Sequence, residues 1–268
     1  MGNTLKVPGA TIYYEHAGSG PVLLFIGGGT SDTTNFELVG KHFEDRYTVV
    51  HYDRRGNGRS VLDGPPTAQV IEEHASDAIA LLELLGNGEP ADLLGSSSGA
   101  LIVLDVLARR PDLVRRGIPH EAPAFTLTPD REANLAFLRH ALAEFERAGG
   151  EAGMAVFGNG SGTPEELLNG TPEEQETARR IDANVPFFFR YEMMSFVDYQ
   201  PDLAALTTVN SSLVPAVGVD SIDTPPVQAI RILAKETDTE VAVFPGGHVG
   251  YLSDPEAFTA KLDEVLKA

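Results

Sequence analysis

The sequence predicts a doubly wound α/β fold, a mostly parallel sheet with helices on both faces and an inserted helical lid. Three observations predict it. Short, unbroken apolar runs such as Val22–Ile26 (VLLFI) are the signature of strands buried on both sides of a parallel sheet. Such runs alternate with helical patterns up to His120 and again from Leu213 onward. Between those points the alternation lapses and only helical patterns and aromatic clusters remain. The expected division is a core over residues 1–122, a lid over 123–200 and the rest of the core over 201–268.

Taken in order, Thr11–Glu15 (TIYYE) is β-branched and aromatic, and Gly18-Ser19-Gly20-Pro21 closes it as a turn. The strand Val22–Ile26 feeds Gly27-Gly28-Gly29. Three glycines suit a flexible turn or a phosphate-cradling loop, but no G-x-G-x-x-G opens a helix here. They also let backbone N–H groups approach a reacting carbonyl closely, and that reading is preferred. Tyr47–Tyr52 is the next strand. It ends in Asp53-Arg54-Arg55-Gly56-Asn57-Gly58-Arg59-Ser60, whose charges are expected to brace a tight loop. Apolar residues from Val70 to Leu85 recur at helical spacing. Ala91–Leu94 is a strand, and a helix follows from Ala100 until Pro111 stops it.

Arg116–His120 is a short strand ending in Glu121-Ala122-Pro123. A helix is expected over Arg131–Arg147, with Gly149-Gly150 and Gly158-Asn159-Gly160-Ser161-Gly162 as flexible breaks. A polar helix from about Pro172 to Asp182 precedes the aromatic and Met-rich stretch Pro186–Phe196. Such a cluster usually serves packing, but a lid needs an apolar inner face. Phe188, Tyr191, Met193 and Met194 are the expected substrate contacts. The sheet resumes at Leu213–Val219, with a helix over Val227–Ala234 and a last strand at Glu240–Phe244. Asp254 caps a final helix with Pro255 in its first turn.

Composition removes several function classes. There is no Cys, so disulfides, thiolate metal sites and a Cys nucleophile are excluded. The net charge of −19 comes from dispersed acids without a basic cluster, which argues against nucleic acid and anionic membrane as partners. No stretch has the apolar length of a membrane span or signal core, so a cytoplasmic location is expected. A homodimer is compatible with this surface.

The chemistry is carried by Ala91–Leu101 (ADLLGSSSGAL), a strand, G-x-S-x-G and a helix in succession. That context turns a common pentapeptide into a nucleophile elbow, in which Ser97 is lifted clear of the sheet on a sharp turn. Side chains at Gly95 or Gly99 would collide with neighbouring backbone. A serine hydroxyl needs a base. Of seven histidines, His248 follows the last strand in a Gly-rich loop, where the chain order Ser…acid…His places it. Three carboxylates compete to orient it. Glu121, at the end of the strand beside the elbow strand, is preferred over Asp220 and Asp223, which follow Leu213–Val219. The N–H groups of Ser98 and of Gly28 or Gly29 are the expected oxyanion donors.

These motifs together resemble the α/β-hydrolase superfamily: Gly95–Gly99, the loop Asp53–Ser60 and Gly246-Gly247-His248. Four stretches resemble the fungal zearalenone lactonases more closely. They are Tyr13-Tyr14-Glu15…Gly18-Ser19-Gly20-Pro21, Ser97-Ser98-Gly99-Ala100, His120-Glu121-Ala122-Pro123 and Pro245-Gly246-Gly247-His248…Tyr251. That resemblance implies Glu121 as the acid, whereas Pro186–Phe196 is similar to a broad set of bacterial α/β-hydrolases. The function expected is cleavage of a small apolar carboxylic ester or lactone through Ser97, His248 and Glu121, with no cofactor and no metal. The same residues would also serve a carbon–carbon hydrolase, a cofactor-free perhydrolase or a ligand-binding receptor with residual hydrolysis.

Overall fold

The chain begins with a hairpin whose second strand contains the expected Thr11–Glu15 and whose first strand was not expected. In the computed structural model, which describes residues 2–157 and 171–268, β1 (Asn3–Val7) and β2 (Ala10–Gly18) pair antiparallel across Pro8-Gly9. Gly9 takes φ 79°, which a turn with proline before it asks of its second central residue. The remaining strands are β3 (Val22–Ile26), β4 (Thr48–Tyr52), β5 (Val61–Leu62), β6 (Ala91–Ser96), β7 (Val114–His120), β8 (Ala216–Gly218) and β9 (Ala242–Phe244). They form one sheet in the order β1-β2-β4-β3-β6-β7-β8-β9, with β5 on β2. Every pairing from β4 to β9 is parallel, so the sheet is mostly parallel as expected.

Eleven helices are described: α1 (Glu37–Lys41), α2 (Ile71–Leu85), α3 (Ser98–Arg109), α4 (Arg131–Ala148), α5 (Gly150–Phe157), α6 (Pro172–Phe187), α7 (Met193–Phe196), α8 (Leu203–Thr208), α9 (Pro225–Thr237), α10 (Gly250–Ser253) and α11 (Pro255–Lys267). A π-turn, Phe188–Glu192, joins α6 to α7. The pleat sends alternate strand residues to opposite faces. Leu24, Ile26, Val50 and Leu93 pack with α2, α3 and α9, while Leu23, Phe25, Val49 and Leu94 pack with α1 and α11. Two cores back to back explain why β3 is buried at every position.

The helices between β7 and β8 have a third core of their own, built from Leu135, Leu138, Phe145, Val185, Phe188, Phe189 and Met193 among others. The expected break at Gly149-Gly150 is a sharp corner: Gly149, at φ 89°, caps α4 and Gly150 starts α5. The expected break at Gly158–Gly162 lies outside the described residues. The strand expected over Leu213–Val219 is shorter. Pro215 has no N–H to give the ladder, so only Ala216–Gly218 is regular and Leu213 makes an isolated bridge to Gly117. Among the described residues no helix is long and apolar enough to cross a membrane.

Candidate active site

β6 ends at Ser96 and the chain turns at once into α3. Ser97 sits on that turn at φ 55°, ψ −125°, a conformation that residues other than glycine rarely adopt. Its flanking glycines are required by space. A Cβ on Gly95 would stand 2.3 Å from the Gly99 carbonyl oxygen, and one on Gly99 would stand 2.2 Å from that of Ile26. The Ser97 N–H donates to the His120 carbonyl (3.0 Å), which pins the turn to the end of β7. Ser96 and Ser98 are buried, and Ser97 alone of the three is partly open.

Glu121 follows β7, and its N–H donates to the Ala216 carbonyl (2.9 Å) while its own φ is 51°. Its carboxylate is buried. Oε1 accepts from the Gly218 N–H at 2.8 Å, and Oε2 lies 2.6 Å from His248 Nδ1. Burial by itself raises the pKa of this carboxyl. The hydrogen bond from His248, with the charge of that ring when protonated and the Gly218 N–H adding to it, more than offsets burial and holds the pKa below the usual value. An ionised carboxylate only accepts, so His248 Nδ1 is the donor of this bond, the tautomer that in a neutral imidazole leaves the lone pair on Nε2. Among the described residues no hydrogen bond joins Ser97 Oγ to His248, and the contact formed is that between Glu121 and His248. Such a bond commonly tightens only with substrate in place. Asp220 and Asp223 are exposed on the loop after β8, and Asp223 pairs instead with Arg231 at 3.2 Å.

The glycine loop lies against the elbow. A Cβ on Gly28 would stand 2.6 Å from the Ser96 carbonyl oxygen, 2.7 Å from Ser97 Cβ and 3.3 Å from the Ser98 nitrogen. This brings Gly28 and Ser98, two of the three expected oxyanion donors, side by side. The third is engaged: the Gly29 N–H donates to Ser98 Oγ at 2.9 Å. Of the two loop glycines expected as donor, Gly29 thus has its N–H turned to a side chain.

The loop Asp53–Ser60 braces the site as its charges suggest. Asp53 accepts from the Thr33 N–H (2.9 Å) and from the Arg59 N–H and Nε (2.8 Å each). Arg55 grips Asp77 through Nε and Nη2, both at 2.7 Å. Arg54 was legible only as one more bracing charge, yet it is the largest fully buried side chain among the described residues. Its Nη1 and Nη2 meet Glu192 of the π-turn at 2.7 and 2.9 Å, and Nη2 also donates to the Gly29 carbonyl. Asn57 Nδ2 donates to the same carboxylate at 2.9 Å. The signal that could have found this pair was a single acid, Glu192, inside a stretch dominated by aromatic and Met residues.

Of the expected substrate contacts, Phe188 abuts the loop, its Cε2 standing 3.8 Å from where a Cβ on Gly29 would be. Met193 is buried in the third core and Met194 packs on its edge. Tyr191 is half-buried, leans on Phe187 with ring centres 5.4 Å apart, and its carbonyl accepts from the Gln69 N–H. Among the described residues no group of His, Asp and Glu could hold a metal ion.

The Ser97 turn, Glu121 and His248 follow β6, β7 and β9 on one rim of a parallel sheet, the layout of a hydrolase of the α/β type. The chain belongs to the alpha/beta hydrolase family, whose model matches residues 23–261. It is 34% identical to the uncharacterized hydrolase YraK of Bacillus subtilis (strain 168), over 98% of this chain and 95% of that one. It is 28% identical to a zearalenone hydrolase of Cladophialophora bantiana, again over 98% and 95%. Among solved structures it is similar in fold to a thermophilic esterase from Thermogutta terrifontis, with TM-score 0.77 and 20% identity over 99% of this chain and 98% of the other.

Proposed function

We propose that this hydrolase cleaves a carboxylic ester or lactone with Ser97 as nucleophile, His248 as general base and then acid, and Glu121 as the residue that orients His248. The observation that carries the reading is the 2.6 Å contact between Glu121 Oε2 and His248 Nδ1, on the rim that presents the strained Ser97. Ser97 Oγ attacks the carbonyl carbon while its proton passes to His248 Nε2. The oxygen that becomes negative is met by the N–H groups of Gly28 and Ser98, the latter at the first turn of α3, where backbone donors lack helical partners. Each such donor is worth about 3 kcal/mol of barrier. Collapse expels the alcohol, which takes the proton back from His248, and water then releases the acid by the same steps. In a lactone the leaving alcohol stays tethered to the acyl chain, so the ring opens.

Support for a lactone comes from the zearalenone hydrolase resemblance over nearly the whole chain. In this reading Phe188, whose ring comes 3.8 Å from where a Cβ on Gly29 would be, meets the small apolar acyl group. The test is a panel of p-nitrophenyl esters, small lactones and macrocyclic lactones given to the parent and to Ser97→Ala. The expected result is turnover of at least one class by the parent, absent in the variant. Equal turnover by both, or none by either, contradicts the reading.

A further inference from the structure

Gly27-Gly28-Gly29 solves one problem and creates another. Only a residue without a Cβ lets the loop lie against Ser96 and Ser97, where Gly28 has 2.6 and 2.7 Å of room. Three successive glycines, however, leave the backbone with the most conformational freedom a chain can have. A donor helps a transition state only if it is already aimed when charge develops. The loop must therefore be held from outside itself.

The hydrogen bonds around Gly28 show what holds it. The Gly28 carbonyl accepts from the Ser31 N–H at 2.9 Å, and the Gly29 N–H donates to Ser98 Oγ at 2.9 Å. The Gly29 carbonyl accepts from Arg54 Nη2. Gly29 itself sits at φ 33°, so nothing in its own backbone preference fixes it. Arg54 is aimed by Glu192, which grips Nη1 and Nη2 in a two-pronged, fully buried pair and is itself fixed by Asn57 Nδ2. His74 closes the far side, with Nδ1 at 3.5 Å from Arg54 Nη1. A guanidinium fork matched to a carboxylate is rigid, and a lysine could not reproduce it.

Glu192 belongs to the helical insert and Arg54 to the loop that follows β4. The π-turn that carries Glu192 widens the helix locally, a distortion found disproportionately at functional sites. The insert is tied to the same loop twice more. Asn184 Nδ2 donates to the Thr30 carbonyl at 2.9 Å, and Arg180 Nε meets Asp32 Oδ2 at 2.8 Å. Neither of those ties reaches Gly28 or Gly29. The Arg54 bridge ends on the Gly29 carbonyl, nearer along the chain to the proposed donor than either.

We propose that Glu192 and Arg54 are a positioning pair, through which the helical insert holds the Gly28 N–H in register with the Ser97 carbonyl adduct. This rests on the reaction proposed above. Neither residue touches substrate. Both guanidinium ends of Arg54 are engaged by Glu192, so Arg54 is not an anchor for an acidic substrate.

The test uses Glu192→Gln and the double variant Arg54→Met/Glu192→Leu, which removes both charges and leaves no buried ion unpaired. Two readouts are taken: kcat and KM for p-nitrophenyl acetate, and the rate at which a fluorophosphonate labels Ser97. Active sites are titrated, so unfolded protein does not count. The expected result is a fall of roughly 10–100-fold in kcat and in labelling rate, with KM within about threefold, as for a misaimed donor. Folded variants with parental kcat per titrated site overturn the inference, whatever their melting temperatures, and make the pair structural. Failure of both variants to fold does the same. A parent that neither turns over the ester nor is labelled at Ser97 overturns the proposed reaction itself, a different and separately visible outcome.

Discussion

Replacing Glu121 by Gln keeps the volume of a side chain that is 1% exposed and keeps an oxygen for the Gly218 N–H at 2.8 Å. What changes is the group 2.6 Å from His248 Nδ1. If the amide keeps its oxygen on Gly218, its NH2 faces a ring N–H, so the imidazole must move its proton to Nε2, where it can no longer accept from Ser97. If the amide flips, the Gly218 donor is left facing an NH2 group. In both cases the negative charge that would stabilise the imidazolium is gone. Amides of such acids lower kcat by about 10²–10⁴-fold. At 1.36 kcal/mol per decade this is about 3–5 kcal/mol of barrier. KM should stay within about threefold, because Glu121 does not touch substrate. Asp220→Asn and Asp223→Asn, on exposed residues, should each stay within about tenfold of the parent, a loss below ~1.4 kcal/mol. The assay is initial rates on a p-nitrophenyl ester, with folding matched by circular dichroism. A near-normal Glu121→Gln beside a crippled Asp220→Asn would refute the reasoning.

Three further outcomes are expected. Gly28→Ala should fold but lose ester turnover by roughly 10²-fold, because its Cβ would enter the space 2.6 Å from the Ser96 carbonyl oxygen and push the loop off the elbow; parental rates would show that the loop is not used. Phe188→Ala should raise KM for bulky apolar esters more than for acetate esters and lower stability by about 3–5 kcal/mol, since the ring also fills the third core; equal KM changes for both ester classes would leave packing as its only role. Stability should fall on mild acidification. Burial depresses His120 to about 4, and burial with the charges of Arg54 and Arg55 holds His74 well below 6.5, so both stay neutral in the folded protein. The unfolded chain binds those protons near pH 6.5. Stability is therefore fully present above about pH 6.5 and is lost as pH falls toward the folded values, at roughly 1.4 kcal/mol per pH unit for each histidine. Urea midpoints measured between pH 7 and 5 should show this slope, and a flat profile would count against it.

The parts of the site fixed by short-range chemistry were legible in the sequence. Gly95 and Gly99 flank Ser97 because backbone lies within 2.3 Å of where their side chains would be, and that requirement is written in the pentapeptide and its flanks. The all-apolar run of β3 is likewise a direct trace of its two covered faces. Glu121 could be ranked above Asp220 because a strand end beside the elbow was recognisable, although its φ of 51° was not. The edge strands β1 and β5 were missed since half-exposed or two-residue strands leave little pattern. The shortening of β8 followed from Pro215, a local breaker inside an apolar run.

The long-range pairings were not legible. Arg54 and Glu192 are separated by 138 positions, and nothing in either neighbourhood names the other. The Gly29 donor was an expectation that side-chain chemistry narrowed, since only the folded chain shows Ser98 Oγ taking that N–H. The aromatic stretch Pro186–Phe196 divides between roles in the same way. Phe188 reaches the loop while Met193 packs within the insert, and the π-turn between them alters the helical spacing that sequence reading relies on.

The account stands most directly on Ser97 becoming acylated. Intact mass measurement of the protein quenched during turnover of a slow ester or lactone, followed by peptide mapping, reads this without assumptions about rate. The account predicts an added acyl mass on the peptide carrying Ser97, absent from Ser97→Ala. Turnover that continues in Ser97→Ala, or an acyl group found on Ser96, Ser98 or any other residue, would contradict it.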